Sequence, residues 1–292
     1  MNLINHESVV KRMKSRLSKN SFSKWTFFAL TMFVLLILGV LLYRIFSQGL
    51  GYLDLQFLQS LPSRKPENAG VYAALIGTIW LMAVVAPVSL LLGVGTAIYL
   101  EEYAKDNMIT NFIKVNISNL AGVPSIVFGL LGLTIFVRAF ALGTSVLAAG
   151  LTMSLLVLPV IIVASQEAIR AVPNQLREAS FGIGATKWQT IVRIVLPAAI
   201  PGILTGGILA LSRAIGETAP LVVLGMPLFL AFLPKTFLDS MTVLPLQIYN
   251  WTGRPQVEFH ALAAAGIIVL LVMLIIMNSI AVLIRNKFQK RY

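Results

Sequence analysis

The segment "EAIRAVPNQLREASFGIGATKWQTIVRIVLP", residues 167 to 197, lies between two long apolar runs and reads as two short amphipathic pieces joined by a turn. Pro173 opens the first piece, where its fixed φ suits a helix start, and Leu176, Ala179, Ser180 and Ile183 follow at i, i+3, i+4 and i+7. Gly184 comes next, a residue able to take the positive φ that turns a chain. Trp188, Ile191, Val192 and Val195 make a second apolar stripe that ends at Leu196-Pro197. The pattern predicts a helix, turn, helix knob; an ordinary interfacial amphipathic connector has the same periodicity.

The surrounding chain belongs in lipid. Of 292 residues, 58% are hydrophobic and 12% charged, with a mean hydropathy of +0.86, far above an ordinary soluble domain. Six stretches are long enough to cross about 30 Å of hydrocarbon as helix: 25–46, 71–99, 120–140, 145–168, 198–224 and 259–284. The apolar core of the first is too long for a cleaved signal peptide, which predicts a retained helix. With no cysteine and with His6 and His260 far apart, disulfide, thiolate and clustered metal chemistry find no residues.

The net charge of +12 is explained by basic residues held at one membrane face, without nucleic acid as a partner. If the N-terminus is cytoplasmic, 16 of the 23 Lys and Arg fall on the cytoplasmic side and six outside, with Arg213 inside the membrane. Both termini are expected to be cytoplasmic, and the knob with them. The chain divides into a basic segment 1–24, a first span with its outer loop 25–70, a five-span core 71–284 carrying the knob at 173–197, and a basic tail 285–292. The outer loop 226–258 mixes apolar residues with four prolines and is expected to lie partly in the outer interface as short helices.

Within the knob, Glu178, Ala179 and Ser180, then Gly184, Ile194, Leu196 and Pro197, match the EAA loop of ABC importer permeases, with Ser in place of the second Ala. The chain thus resembles that family. "GVPSIVFGLLGL" (122–133), "LVLPVIIVASQEAI" (156–169) and "RAIGETAPL" (213–221) resemble its phosphate-specific branch, the PstA family. The resemblance implies an all-α polytopic bundle of six transmembrane helices, the type I (MetI-like) importer permease, in the bacterial inner membrane. It implies a second permease subunit of the PstC type, a PstB-type ATPase dimer that holds ATP and Mg, and a PstS-type phosphate-binding protein. The permease itself would bind no cofactor and catalyse nothing. This fits the absence of G-x-x-x-x-G-K-[ST]; in "GIGATKW" (182–188) the lysine is misplaced and an amphipathic helix precedes it.

The resemblance makes the knob the element that docks on the ATPase, with Arg177, Glu178, Ala179, Ser180, Gly184 and Lys187 as coupling residues. Arg177 and Lys187 could equally face solvent or anionic headgroups. Arg213 and Glu217 stand four apart at the end of an apolar run, next to Gly216 and to Pro220, which breaks the helix. An unpaired arginine at the bilayer centre costs about 2.5 to 3.5 kcal/mol, so this face must meet protein or water. The pair is either a packing clamp or, as the resemblance implies, part of a phosphate pathway, for which the guanidinium fork is suited. Gly202, Gly206 and Ala210 form a small-residue row that serves packing within the chain or against a second permease. The EAA pattern alone allows another oxyanion or small solute. A channel would need no such loop, and a membrane-embedded enzyme would need a catalytic set that is not visible.

Overall fold

The computed structural model describes residues 6–288. Lys290 and Arg291 of the expected basic tail, and the first five residues of the expected N-terminal segment, lie outside them. Among the described residues every regular element is helical, as the continuous apolar runs require of backbone that has no water to bond.

Helix α1 (His6–Gly49) is a long rod whose apolar span is exposed along its length on this single chain. It touches the bundle near its end, where Gly49 lies against the backbone of Ala264 and Ala265. A short helix α2 (Leu55–Gln59) follows, with the Asp54 carboxylate accepting from Phe57 N–H at 2.6 Å. Helix α3 (Tyr72–Ile98) is the second span and ends in a wide turn, Tyr99–Tyr103.

The third span differs from the expected straight helix over 120–140. Helix α4 (Met108–Leu120) and α5 (Ser125–Gly132, continued by a wide turn at Leu133–Ala139) meet at a bend of 103°. The cause is "AGVP" (121–124): Pro124 disfavours helical backbone at Val123, and Gly122 weakens the turn before it. Residues 108–120, expected as a cytoplasmic connection, are therefore an amphipathic helix across the end of the bundle. Among the described residues there are five helices long and apolar enough to span a membrane, or six if the bent pair counts as one span.

Helix α6 (Val146–Arg170) is the central element, capped by Ser145 and packed along α3. After α7 (Asn174–Gly182) and the short α8 (Lys187–Thr190), a wide turn at Ile191–Val195 leads directly into α9 (Leu196–Gly216). This corrects the reading of Leu196-Pro197 as a stop. The wide turn displaces the carbonyls that the proline ring would strike, so the helix passes through Pro197. Lys187–Gly216 is one span of 30 residues. The fifth span ends at Gly216 rather than Leu224; Glu217 is extended (φ −82°, ψ 124°), and Pro220 starts the short α10 (Ala219–Val223).

The loop after α10 leaves Phe229, Phe232, Phe237 and Leu238 exposed, while its later part is buried in the bundle. Met241 to Gln247 are buried, and α11 (Leu244–Thr252) packs with Leu244, Leu246 and Trp251 fully enclosed beside α12 (Val257–Phe288). Leu244 N–H donates to Thr78 Oγ1 at 3.0 Å, and Gly77 on α3 sits so close to the Thr242 carbonyl that a Cβ there would collide with it. Close backbone approach of this kind, rather than apolar burial, holds helices together where lipid is as apolar as leucine.

Candidate functional site: the knob and the end of the fifth span

The knob is built as two limbs. The first, α7, starts directly after Pro173, and Gly184 turns the chain at φ +85°. Thr186 caps the second limb in a capping box with Gln189. The limbs are clasped by the Ser180 and Thr190 hydroxyls, 2.8 Å apart and buried. This gives a reason for Ser at the position where the EAA pattern has Ala: an alanine there would leave Thr190 without its partner.

The apolar stripes are only partly buried. Ile191 and Val195 face inward, whereas Ile183 is 86% and Trp188 63% exposed, joined by Phe181. Glu178, Ala179 and Gly184 also lie on the exposed side. Lys187 is exposed, with its Nζ 5.0 Å over the Tyr103 ring. Arg177 is turned inward, away from any partner or headgroup: its Nη2 donates to Glu102 Oε1 at 3.0 Å and to the Ile169 carbonyl at 2.9 Å, and its Nη1 to the Val172 carbonyl at 2.6 Å.

Sequence reasoning missed the residues under the knob. Glu101 accepts from Gln166 Nε2 at 2.8 Å and Arg170 Nε at 2.8 Å, and pairs with Lys114 at 3.3 Å. With only 11 acidic residues in the chain, two adjacent carboxylates on a face rich in Arg and Lys were the available signal.

At the other end of the rod, Ser212 Oγ donates to Asn278 Oδ1 of α12 at 2.6 Å, which fixes the rotation of α9. Arg213 is left pointing off the bundle, with its side chain 54% exposed and its Nε 3.9 Å from Glu217 Oε2. The pair is therefore loose, and Glu217 lies beyond the helix end rather than on one helical face with Arg213. Gly216 is exposed and Pro220 buried. The small-residue row lies against α6 at the edge of the bundle: Gly202 is exposed, yet a Cβ on it would lie 2.7 Å from Ala168 Cβ, one on Gly206 would strike Ala164, and Ala210 is buried. At Gly202 and Gly206 the row brings α9 close to α6 within this chain.

A membrane bundle with a projecting two-limbed knob is the form of an importer permease, and the comparisons agree. Residues 89–290 match the family of binding-protein-dependent transport system inner membrane components, and the chain belongs to that family. It is 36% identical over 273 residues to phosphate transport system permease protein PstA 1 of Mycobacterium tuberculosis (strain CDC 1551 / Oshkosh), covering 91% of this chain and 88% of that protein. PstA of Mycobacterium leprae (strain TN) is 38% identical over 246 residues, 82% of this chain and 79% of that one. Probable ABC transporter permease protein YqgI of Bacillus subtilis (strain 168) is 34% identical over 187 residues, 64% and 63% of the two chains. Among solved structures, a chain of the inward-facing MetNI methionine ABC transporter aligns with a TM-score of 0.59 at 16% identity, over 75% of this chain and 98% of that one. A chain of the bacterial alginate ABC transporter aligns at 0.60 and 17% identity, over 91% and 96%. These two share its fold.

Proposed function

We propose that this chain is the permease subunit of an ATP-driven phosphate importer. It forms half of the pathway with a second permease of the PstC type, docks a PstB-type ATPase dimer through the knob and receives phosphate from a PstS-type binding protein. ATP and Mg are held by the ATPase; this chain binds no cofactor and supplies no catalytic group. Both termini and the knob face the cytoplasm, in keeping with the bias of Lys and Arg. Substrate identity rests on the names of the relatives covering most of the chain.

The observation that carries the coupling role is the exposed apolar tip formed by Phe181, Ile183 and Trp188 around a turn that needs Gly184. Glu178, Ala179 and Lys187 share that outward side, while Ser180 and Arg177 serve docking indirectly by holding the knob's shape. Arg213 is the cation of the anion path and Glu217 its loose partner. A half-exposed arginine at the end of an apolar rod requires a covering of protein or water, which a second permease and a water-filled path provide. Gly202, Gly206, Gly216 and Pro220 shape the rod that presents it.

The test is radiolabelled phosphate uptake beside quantified complex in native membranes. Because the chain has no cysteine, a single Ile183→Cys reports docking through its accessibility to a cytoplasmic maleimide. Protection that depends on a co-purifying ATPase, with uptake lost in Arg213→Gln, is the expected result. A chain recovered alone and active would overturn the proposal.

A further inference from the structure

The wide turn Tyr99–Tyr103 sends its two adjacent carboxylates in different directions. Glu101 reaches Lys114 on α4 and Gln166 and Arg170 on α6, which fixes the end of α3 to both helices. Among the described residues Glu102 reaches only into the knob, where Arg177 meets it through Nε at 3.3 Å and Nη2 at 3.0 Å. Arg177 also donates to the carbonyl of Ile169 in the last turn of α6 and to that of Val172 just beyond it. The pair is largely shielded, with side chains 16% and 11% exposed, so solvent screens it less than a surface ion pair. The first limb is also held to α6 by the link 171–173 and by Leu176, which packs against Ile169 and Val172, and to the second limb by the Ser180–Thr190 clasp, so the Glu102–Arg177 pair is its polar tie to the end of α3. The second limb is the start of the α9 rod.

We propose that Glu102 is a positioning residue for transport: through Arg177 it locks the first limb to the end of α3, so that a push on the knob moves the second span together with the fifth. This deepens the reading of the knob as the ATPase dock and depends on it. A mere staple of the fold would, when removed, lower assembly. A force linkage would, when removed, leave docking and ATP hydrolysis in place and lower the phosphate moved per ATP.

The experiment uses the complete importer, reconstituted in liposomes with its ATPase, second permease and phosphate-binding protein. ATPase retention, Mg-ATP hydrolysis and radiolabelled phosphate uptake are measured on the same preparation. Glu102→Ala is expected to keep ATPase retention and lower uptake per ATP by about fivefold or more, in the range of ordinary coupling between sites. Glu102→Asp, which keeps the charge, is expected to recover a substantial part of the loss. Glu167→Gln removes a charge from an exposed carboxylate paired only with Arg170, and is expected to match wild type. Uptake per ATP unchanged in Glu102→Ala overturns the inference. If Glu102→Ala fails to assemble, the near-isosteric Glu102→Gln decides: lowered uptake per ATP with the ATPase retained supports the linkage, and wild-type coupling overturns it. A wild-type complex that retains no ATPase defeats the reading of the knob itself, and this inference with it.

Discussion

Replacing Gly184 with valine tests the knob at its most constrained point. The residue sits at φ +85°, and nothing lies within 4 Å of where its Cβ would be. The penalty is therefore torsional, with no collision to relieve. An L-residue in the left-handed region costs about 1 to 2 kcal/mol, and β-branching adds to this. A penalty of that size shifts a local equilibrium by roughly 5- to 30-fold, enough to leave the turn mostly outside its native geometry wherever the limbs can separate. The Ser180 to Thr190 clasp opposes that separation but is a single hydrogen bond, contributing about 1 kcal/mol. Gly184→Val should thus insert normally and lose most ATPase-coupled uptake, whereas Gly184→Asn, which tolerates positive φ, should retain it. The assay is phosphate uptake normalised to membrane-inserted chain, with ATPase co-purification alongside. Normal uptake by Gly184→Val, or equal loss in the Val and Asn variants, would refute the torsional argument.

Ser180→Ala, which orphans the buried Thr190 hydroxyl, should destabilise the knob by about 1 to 3 kcal/mol, read as faster proteolysis between residues 173 and 197; Ser180→Ala/Thr190→Val should recover most of it. Arg213→Gln should abolish uptake with the complex assembled, and Arg213→Gln/Glu217→Gln should likewise assemble without transport; full uptake by the double variant would leave the pair as a structural clamp. Gly77→Ala should drive the Thr242 carbonyl away and expose the outer loop, measured as protease cleavage between 226 and 243 in right-side-out vesicles. That loop is held at Asp239, whose carboxylate accepts from the N–H groups of Lys235 at 2.7 Å and Thr236 at 2.8 Å, bonds that keep its pKa below the ordinary aspartate value. A lowered folded pKa gives stability that is complete above the unfolded value and is lost as pH falls through the folded one. Protection of the loop should therefore hold from pH 8 to about 5 and fail only below about 3.9.

Local pattern carried much of this molecule into view. Five of the expected spans correspond to long helices, because a run of about 20 apolar residues has few other solutions in lipid, and Gly184 turns the chain with the expected positive φ. The misread places are those where tertiary structure overrides a local rule. Pro197 reads as a stop, yet a wide turn one residue earlier absorbs its ring. The "AGVP" bend looks like a small flaw in an apolar run, although Pro124 makes it a corner. Arg177 looks like a surface charge because its carboxylate partner lies 75 residues earlier in the chain, beyond the reach of any periodicity. The burial of the later part of the 226–258 loop is not legible either, since nothing in the sequence alone shows the slot beside Gly77 that receives Thr242.

The unbroken run from Lys187 to Gly216 makes the permease a machine with leverage. At 1.5 Å per residue, the 26 steps from Lys187 to Arg213 span about 39 Å. A tilt of about 5° around the knob would sweep the guanidinium through about 3.4 Å, roughly one water diameter beyond van der Waals contact with its starting neighbours. Glu217 caps the same rod, so such a sweep would carry it together with Arg213, 3.9 Å away. A modest rotation at the knob would thus be magnified into a displacement at the far end of the span, and the extended backbone of Glu217 forms the joint at which that stroke ends.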